Sequence, residues 1–482
     1  MPGFHPGDPG SNAANGIVFD PPHVTGKDVH TFHKGRIIST GCPLAGREDE
    51  NDIASFLKKP GVGSWTVKPE TLTPQPWIHK LSNLDFHISF ENYTKQVYYF
   101  PPSSRDDLVA SLRASLSRVL VPFYVLAGRV RRAEDGHKLE VDCNDGGISF
   151  VEAPDASFSD WKNMAFCSIE QHLNPSEVAI TDPDTAPIFK VQAGFLISHL
   201  ILQYFMEFLN LGDEVQVWWD RIRDLNGRSG QAAPILPVRD YYSSPIYNTH
   251  SAKATDVTCE YVVKMFEMDP DQVDDLIRDV HSGPYSYGRP PTSFEATSAM
   301  MWKAITEARD LQDSIITSYV YAISLKGKNR WNPPVPASYI GNSIHSPCLT
   351  AKAKSRHLSY AARLFQEDIL STIQEHMQSA IDWMEMELGR GRKINLNGDF
   401  VSVTGIYSTS LHSFPVYSVD FGWGKTVHYS LVMQSWYGNG VTVILPSPRG
   451  GRHRRLLISL PAIHMKKLVN HEFFRNYTTL GS

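Results

Sequence analysis

Between Gly227 and Ser251 the chain turns polar and proline-bearing (GRSGQAAPILPVRDYYSSPIYNTHS), and on both sides of it short aromatic or β-branched runs alternate with helical stripes. A polar stretch flanked by two segments of the same texture predicts two mixed α/β halves joined by a crossover. In the first half, Gln96 to Phe100 (QVYYF) reads as a strand broken by Pro101 and Pro102, after which Leu108, Leu112, Leu116, Val119 and Leu120 recur at helical spacing up to Pro122. His137 to Cys143 and Ile148 to Glu152 are strand-like and joined by Asn144, Asp145, Gly146 and Gly147, residues that tolerate positive φ, so the two runs are expected to pair as a hairpin.

In the second half, Thr292 followed three residues later by Glu295 makes a capping box for a helix that turns Phe294, Met301, Trp302 and Ile305 inward. A longer helix is expected from about Ala361 to Glu387, with Leu370, Ile373, Met377, Ile381 and Met384 on one face; stripes of this kind are core. Short strands follow over Val401 to Tyr407, Thr426 to Met433, Val441 to Leu445 and Leu456 to Leu460. Residues 1–70, rich in Gly and Pro without sustained periodicity, read as a flexible extension; the halves are then 71–235 and 261–482, with 236–260 as linker. No parallel βαβ repeat suggests a dinucleotide-binding sheet.

The formal net charge of -5 provides no cationic field for nucleic acid or anionic lipid. The five cysteines are odd in number and contain no CxxC pair, which argues against a disulfide framework and against a zinc knuckle. With no signal-like h-region and no run long enough to span a bilayer, a cytoplasmic location is expected. A monomer is the expected state.

Several common signatures fail when read residue by residue. There is no G-x-S-x-G elbow and no G-x-G-x-x-G. Gly424-Lys425-Thr426 imitates the end of a P-loop, but its earlier glycine would fall at Val419. His471-Glu472 begins like a zincin helix, yet the second histidine position is Arg475, so no metal site is expected. The cluster Arg449 to Arg455 (RGGRHRR) sits between two strands around Gly450-Gly451 and reads as a solvated hairpin tip.

What remains is Pro415 to Gly424 (PVYSVDFGWG). Its DFGWG, Asp420 to Gly424, resembles the hallmark pentapeptide of the BAHD acyltransferases. Leu81 to Asp85 (LSNLD), Leu126 to Arg129 (LAGR), Thr292 to Ala296 (TSFEA) with Trp302, and Arg330 through Pro333-Pro334 to Gly341-Asn342 resemble further landmarks of that family in the same order. The likeness covers roughly residues 70–475 and implies an α/β fold of two chloramphenicol-acetyltransferase-like domains with mixed sheets and an active site at their interface. It also implies acyl-CoA as co-substrate with no bound cofactor, and a small-molecule alcohol or amine as acceptor.

In the family a histidine of an HxxxDG motif acts as general base. Here Pro187 to Gln192 (PIFKVQ) and Met206 to Asn210 (MEFLN) resemble its flanks, and between them His199 takes the histidine's place while Gln203 replaces the aspartate. The interval from Gln192 to His199 is shorter than the family's by roughly ten residues. Three readings of this window stand open: a mis-spliced or frameshifted gene model of an active enzyme, a genuine enzyme with impaired catalysis, and a non-catalytic homologue acting through protein partners. By the resemblance, Trp423 is the candidate oxyanion donor and Asp420 pairs with a basic residue, Arg330 first and Lys328 second. Gly422 and Gly424 leave room for a tight turn. Ser413 stands where shikimate- and quinate-type members carry an arginine for the acceptor carboxylate, so an uncharged acceptor is expected.

Overall fold

The computed structural model describes residues 63–73, 77–81, 95–101, 107–134, 139–152, 188, 190–196, 199–203, 247–248, 261–286, 288–325, 343–353, 357–371, 374–390, 395–396, 404–421, 424–432 and 440–481. In the first half these form β1 (Gly63–Val67), β2 (Trp77–Lys80), β3 (Lys95–Phe100), α1 (Leu108–Val119), β4 (Arg129–Arg132), β5 (Leu139–Cys143), β6 (Ile148–Glu152), β7 (Lys190–Leu196) and β8 (His199–Gln203). After β9 (Tyr247–Asn248) come β10 (Tyr261–Met268), α2 (Pro270–His281), α3 (Ser293–Ala308), β11 (Ile316–Tyr321), β12 (Ile323–Ser324), β13 (Ile344–His345) and β14 (Cys348–Lys352). The chain continues through α4 (Leu358–Ser371), α5 (Gln374–Gly389), β15 (Asn395–Leu396), β16 (Gly405–Ser410), β17 (His428–Val432) and β18 (Val441–Pro446). It closes with β19 (Arg454–Pro461), α6 (Ala462–Val469), α7 (Glu472–Tyr477) and β20 (Thr479–Leu480).

Two large mixed sheets organise the molecule, in the orders β1-β6-β7-β8-β3-β17 and β14-β11-β16-β18-β19-β10-β20. Strands of the second sheet are apolar on both faces, and their side chains sort by the period of two. Val262, Phe266, Tyr319, Tyr321, Ile406, Ile444, Leu456 and Ile458 pack beneath α2, α3, α4, α6 and α7. The alternate residues Val263, Met265, Val320, Tyr407, Val443 and Leu457 join a core with Tyr98, Phe100, Leu112, Leu116, Ile148 and Phe150 of the first half. One strand crosses the sequence division at the linker: β17, from the second half, pairs with β3 in the register Tyr429↔Tyr98. Their rings stand 4.9 Å apart, and both hydroxyls donate to Gln96 Oε1, at 3.2 Å from Tyr98 and 3.1 Å from Tyr429.

The capping box at α3 forms as read. Thr292 Oγ1 accepts from Glu295 N at 3.2 Å and Glu295 Oε2 accepts from Thr292 N at 2.6 Å, while Arg289 grips the buried Glu295 carboxylate from outside at 2.7 and 2.9 Å.

Four expectations are corrected. The extension over residues 1–70 ends sooner, because Gly63–Val67 pairs antiparallel with β6 at the sheet edge. The runs before and after Asn144 are both strands, but they do not pair: β5 joins β2 and β4 in a small sheet, and β6 joins the large one. The positive φ values are present, 53° at Asp145 and 83° at Gly147, yet the turn is a junction between sheets. Arg129 takes the Gly146 and Gly147 carbonyls at 3.0 and 2.9 Å, and the Asp145 carboxylate is held by Thr73 N and Oγ1, both at 2.8 Å.

The single helix expected over 361–387 is two, because its ends serve different cores: Phe365 of α4 packs under the second sheet, whereas Met377, Ile381 and Met384 of α5 face the first half. Leu370 is 54% exposed at the end of α4. Finally, the Arg449–Arg455 tip is solvated only over its first part. Arg449 and Arg452 pair with Glu267 at the end of β10 and with Asp269 and Asp274 at the start of α2, but Arg454 and Arg455 are each 3% exposed within β19.

His79 in β2 is 6% exposed, and burial holds its imidazole down at about 4 against an ordinary 6.5. The unfolded chain therefore takes up a proton between those values that the folded chain refuses. This share of stability is complete above pH 6.5 and disappears as pH falls to about 4. A difference of this size corresponds to on the order of 3 kcal/mol. Denaturation of the protein and of His79→Gln between pH 7 and 4 should show a shallower pH dependence in the variant; parallel curves would refute the assignment.

Candidate active site

β17 enters the first sheet through a tight turn, and that turn is the DFGWG segment. Asp420 and Lys425 face each other as an antiparallel bridge. Asp420 Oδ1 accepts from Gly424 N at 3.1 Å, and Thr426 N donates to Val419 O at 3.1 Å below it. Gly424 has φ +120°, and a Cβ there would stand 2.9 Å from Pro101 Cγ, so the position demands glycine on both counts. Phe421 meets Phe100 edge-on at 5.4 Å, and Val427 N donates to Tyr99 O at 2.7 Å. The turn is thus fastened to the end of β3.

His199 opens β8 at the same end of the sheet. β8 pairs with β3 in the register Leu200↔Phe100, which brings the backbone of His199 level with Pro101, the residue against which Gly424 packs. On its other side His199 pairs with Leu196 of β7 across the two residues 197 and 198. Gln203 stands at the far end of the strand, paired with Gln192 and Val97. An extended strand advances about 3.3 Å per residue, so residues 199 and 203 are about 13 Å apart along it. Residues 199 and 203 therefore mark opposite ends of β8.

Of the other residues proposed from sequence, Gly422, Trp423, Arg330 and Lys328 lie outside the described residues. Ser413 is exposed in the turn after β16. Cys143 and Cys348 are free thiols that burial pushes up to about 12, so neither offers a thiolate near neutral pH. Among the described residues no His, Cys, Asp and Glu group is arranged to hold a metal ion. Within the same set no helix is long and apolar enough to cross a membrane.

A polar centre that the sequence reading missed lies directly behind the turn. Arg455 Nη2 donates to Tyr417 Oη and to Tyr429 O, each at 2.6 Å. Its Nη1 bonds His428 Nδ1 at 3.1 Å and its Nε donates to Pro446 O at 3.3 Å. The missed signal was strand alternation: with Leu457 facing the first half, Arg455 must face it too.

The fold agrees with that of known proteins similar to the chain. The Transferase family is matched by residues 62–198 and 214–474. The chain belongs to that family, the BAHD acyltransferases, as an enzyme that draws its acyl group from acyl-CoA. The two matched stretches leave out 199–213, the window that holds His199 and Gln203. A hydroxycinnamoyltransferase of Narcissus pseudonarcissus is 27% identical over 433 residues, covering 83% of this chain and 96% of the relative. The omega-hydroxypalmitate O-feruloyl transferase of Arabidopsis thaliana is 27% identical over 429 residues, covering 83% and 89%. Among solved structures, TRI101 of F. sporotrichioides, complexed with coenzyme A and T-2, superposes with a TM-score of 0.66 at 15% identity, covering 84% of this chain and 99% of that one. Vinorine synthase does so with 0.60 at 18%, covering 87% and 98%. At these identities the superpositions establish the fold.

Proposed function

We propose that the protein transfers a hydroxycinnamoyl or fatty acyl group from acyl-CoA to the hydroxyl or amine of a small uncharged acceptor, with His199 as general base and Trp423 as oxyanion donor. The observation that carries the reading is the family match across both halves, joined by a DFGWG turn that ties the second half to the first sheet. The two donor classes follow the names of the relatives, a hydroxycinnamoyltransferase and an omega-hydroxypalmitate feruloyl transferase. Support for the two roles comes from chain placement, since the backbone of His199 and the turn that contains Trp423 share one end of the sheet.

In this reading the acceptor oxygen or nitrogen attacks the thioester carbonyl as its proton passes to the imidazole. An N–H donor steadies the oxyanion. The C–S bond then breaks, and the proton passes from the imidazolium to the departing CoA thiolate. Arg330 is the residue we assign to Asp420, supplementing the bond Asp420 already makes to Gly424 N. We assign the protein to the cytoplasm as a monomer without a nucleic-acid partner or a membrane span.

Ser413, where an arginine would meet an acceptor carboxylate, supports an uncharged acceptor. With one acyl-CoA held fixed, thiol release should be faster with a long-chain or aromatic alcohol than with a hydroxy acid of similar size. The reverse order would overturn the acceptor assignment.

A further inference from the structure

We propose that Arg455 is a positioning residue for acyl transfer: it grips both flanks of the Asp420–Lys425 turn and so sets where the residues of that turn stand. The proposal rests on the acyl-transfer reading above. Tyr417, which receives the 2.6 Å bond from Nη2, lies three residues before Asp420. His428 and Tyr429, which receive bonds from Nη1 and Nη2, lie three and four residues after Lys425. The fourth bond, to Pro446 O, anchors the guanidinium to the end of β18 in the second sheet. One planar group thus joins the 3₁₀ turn that leads into the segment, the strand that leads out of it, and the sheet behind both.

The chemistry at this position is specific to a fork. Four of the five guanidinium N–H groups are used, in directions that an ammonium cannot reproduce from one point. Arg455 is 3% exposed, and among the described residues its guanidinium bonds a hydroxyl, an imidazole nitrogen and two backbone carbonyls and makes no ion pair. Alternation in β19 calls for an apolar side chain here, as at Leu457, and a leucine would leave the Tyr417 hydroxyl and the Tyr429 carbonyl without these bonds. The bond at His428 Nδ1 also fixes that ring: a nitrogen that accepts from Arg455 carries no proton, so His428 is neutral with its proton on Nε2. The clamp therefore presents one charge state and one geometry to the turn.

If Arg455 acts through the turn, its removal affects the chemical step, and only while Trp423 is present. Displacement of a reacting group by about 1 Å costs up to about 100-fold in rate, so Arg455→Met should lower kcat by about ten-fold or more and leave KM for acyl-CoA within about two-fold. In a Trp423→Phe background the same change should lower kcat by less than about two-fold, because the two residues act as a unit. Tyr417→Phe, which removes one of the four bonds, should give a smaller loss in kcat that also vanishes in that background. It takes the place of Arg455→Met should that variant not fold. An unchanged kcat, or an equal loss with and without Trp423, would overturn the proposal. Emission of Trp423, taken as the difference from Trp423→Phe, provides a readout independent of turnover. It should shift in wavelength when Arg455 or Tyr417 is changed, and an unshifted difference spectrum would refute the positioning role. A wild-type protein that releases no thiol but shows this shift would refute acyl transfer alone.

Discussion

Replacement of His199 by alanine is expected to lower thiol release by about 10² to 10⁴-fold, the contribution of a positioned general base. The structure places His199 at the first residue of β8, level with Pro101 and hence beside the DFGWG turn. Steady-state thiol release at saturating acyl-CoA, with circular dichroism to show retained fold, is the measurement. His199→Gln should be as slow as His199→Ala, since an amide can hydrogen-bond but cannot take the acceptor's proton. Activity that survives in either variant would remove His199 from the mechanism and leave the base to be sought elsewhere in the chain.

The largest expected effect on stability comes from the aromatic core under the second sheet. Phe365 is fully buried, with its ring 5.0 Å from Tyr319, 5.2 Å from Tyr321, 6.1 Å from Trp302 and 6.2 Å from Phe294. Those partners come from β11 and α3, so the ring joins two helices to the sheet. They are themselves held, as where Trp302 Nε1 donates to Thr317 Oγ1 at 3.1 Å, and cannot collapse into the space a truncation leaves. Phe365→Ala should cost about 3–5 kcal/mol, a fall in Tm on the order of 10 °C for a unit of this size. Thermal unfolding followed by fluorescence checks it, and a shift of under about 3 °C would show that the cluster contributes little.

Much of this architecture was legible because local rules and tertiary packing agreed. The stripe from Leu108 to Leu120 buries Leu108, Leu112 and Leu116, the Thr292–Glu295 capping box forms, and β16, β18 and β19 are buried on both faces. The misreadings share one cause, which is that pairing partners and cores are not local properties. Asn144 to Gly147 have the chemistry of a hairpin turn, but nothing in those residues tells that Arg129 will take the carbonyls of Gly146 and Gly147 and send the two strands to different sheets. Residues 361–387 keep one helical period while serving two cores. Arg455 looked like part of a solvated tip because charge clusters usually are; its burial follows only from β17 leaving its own half to pair with β3. At the candidate site, the DFGWG pentapeptide marked the turn and its glycine at φ +120°. The pairing of Leu196 with His199, which sets His199 at the first position of β8, was not legible from the loss of the motif aspartate alone.

The central claim, acyl transfer from a CoA thioester, is tested most directly by product stoichiometry. The purified protein is incubated with feruloyl-CoA or palmitoyl-CoA and a long-chain alcohol, with free thiol and ester quantified from the same reaction. The account predicts thiol and ester appearing one to one, at a rate that depends on both substrates. Thiol without ester would mark a hydrolase, and neither product across the acyl-CoA and acceptor panel would contradict the assignment of transferase activity to this chain.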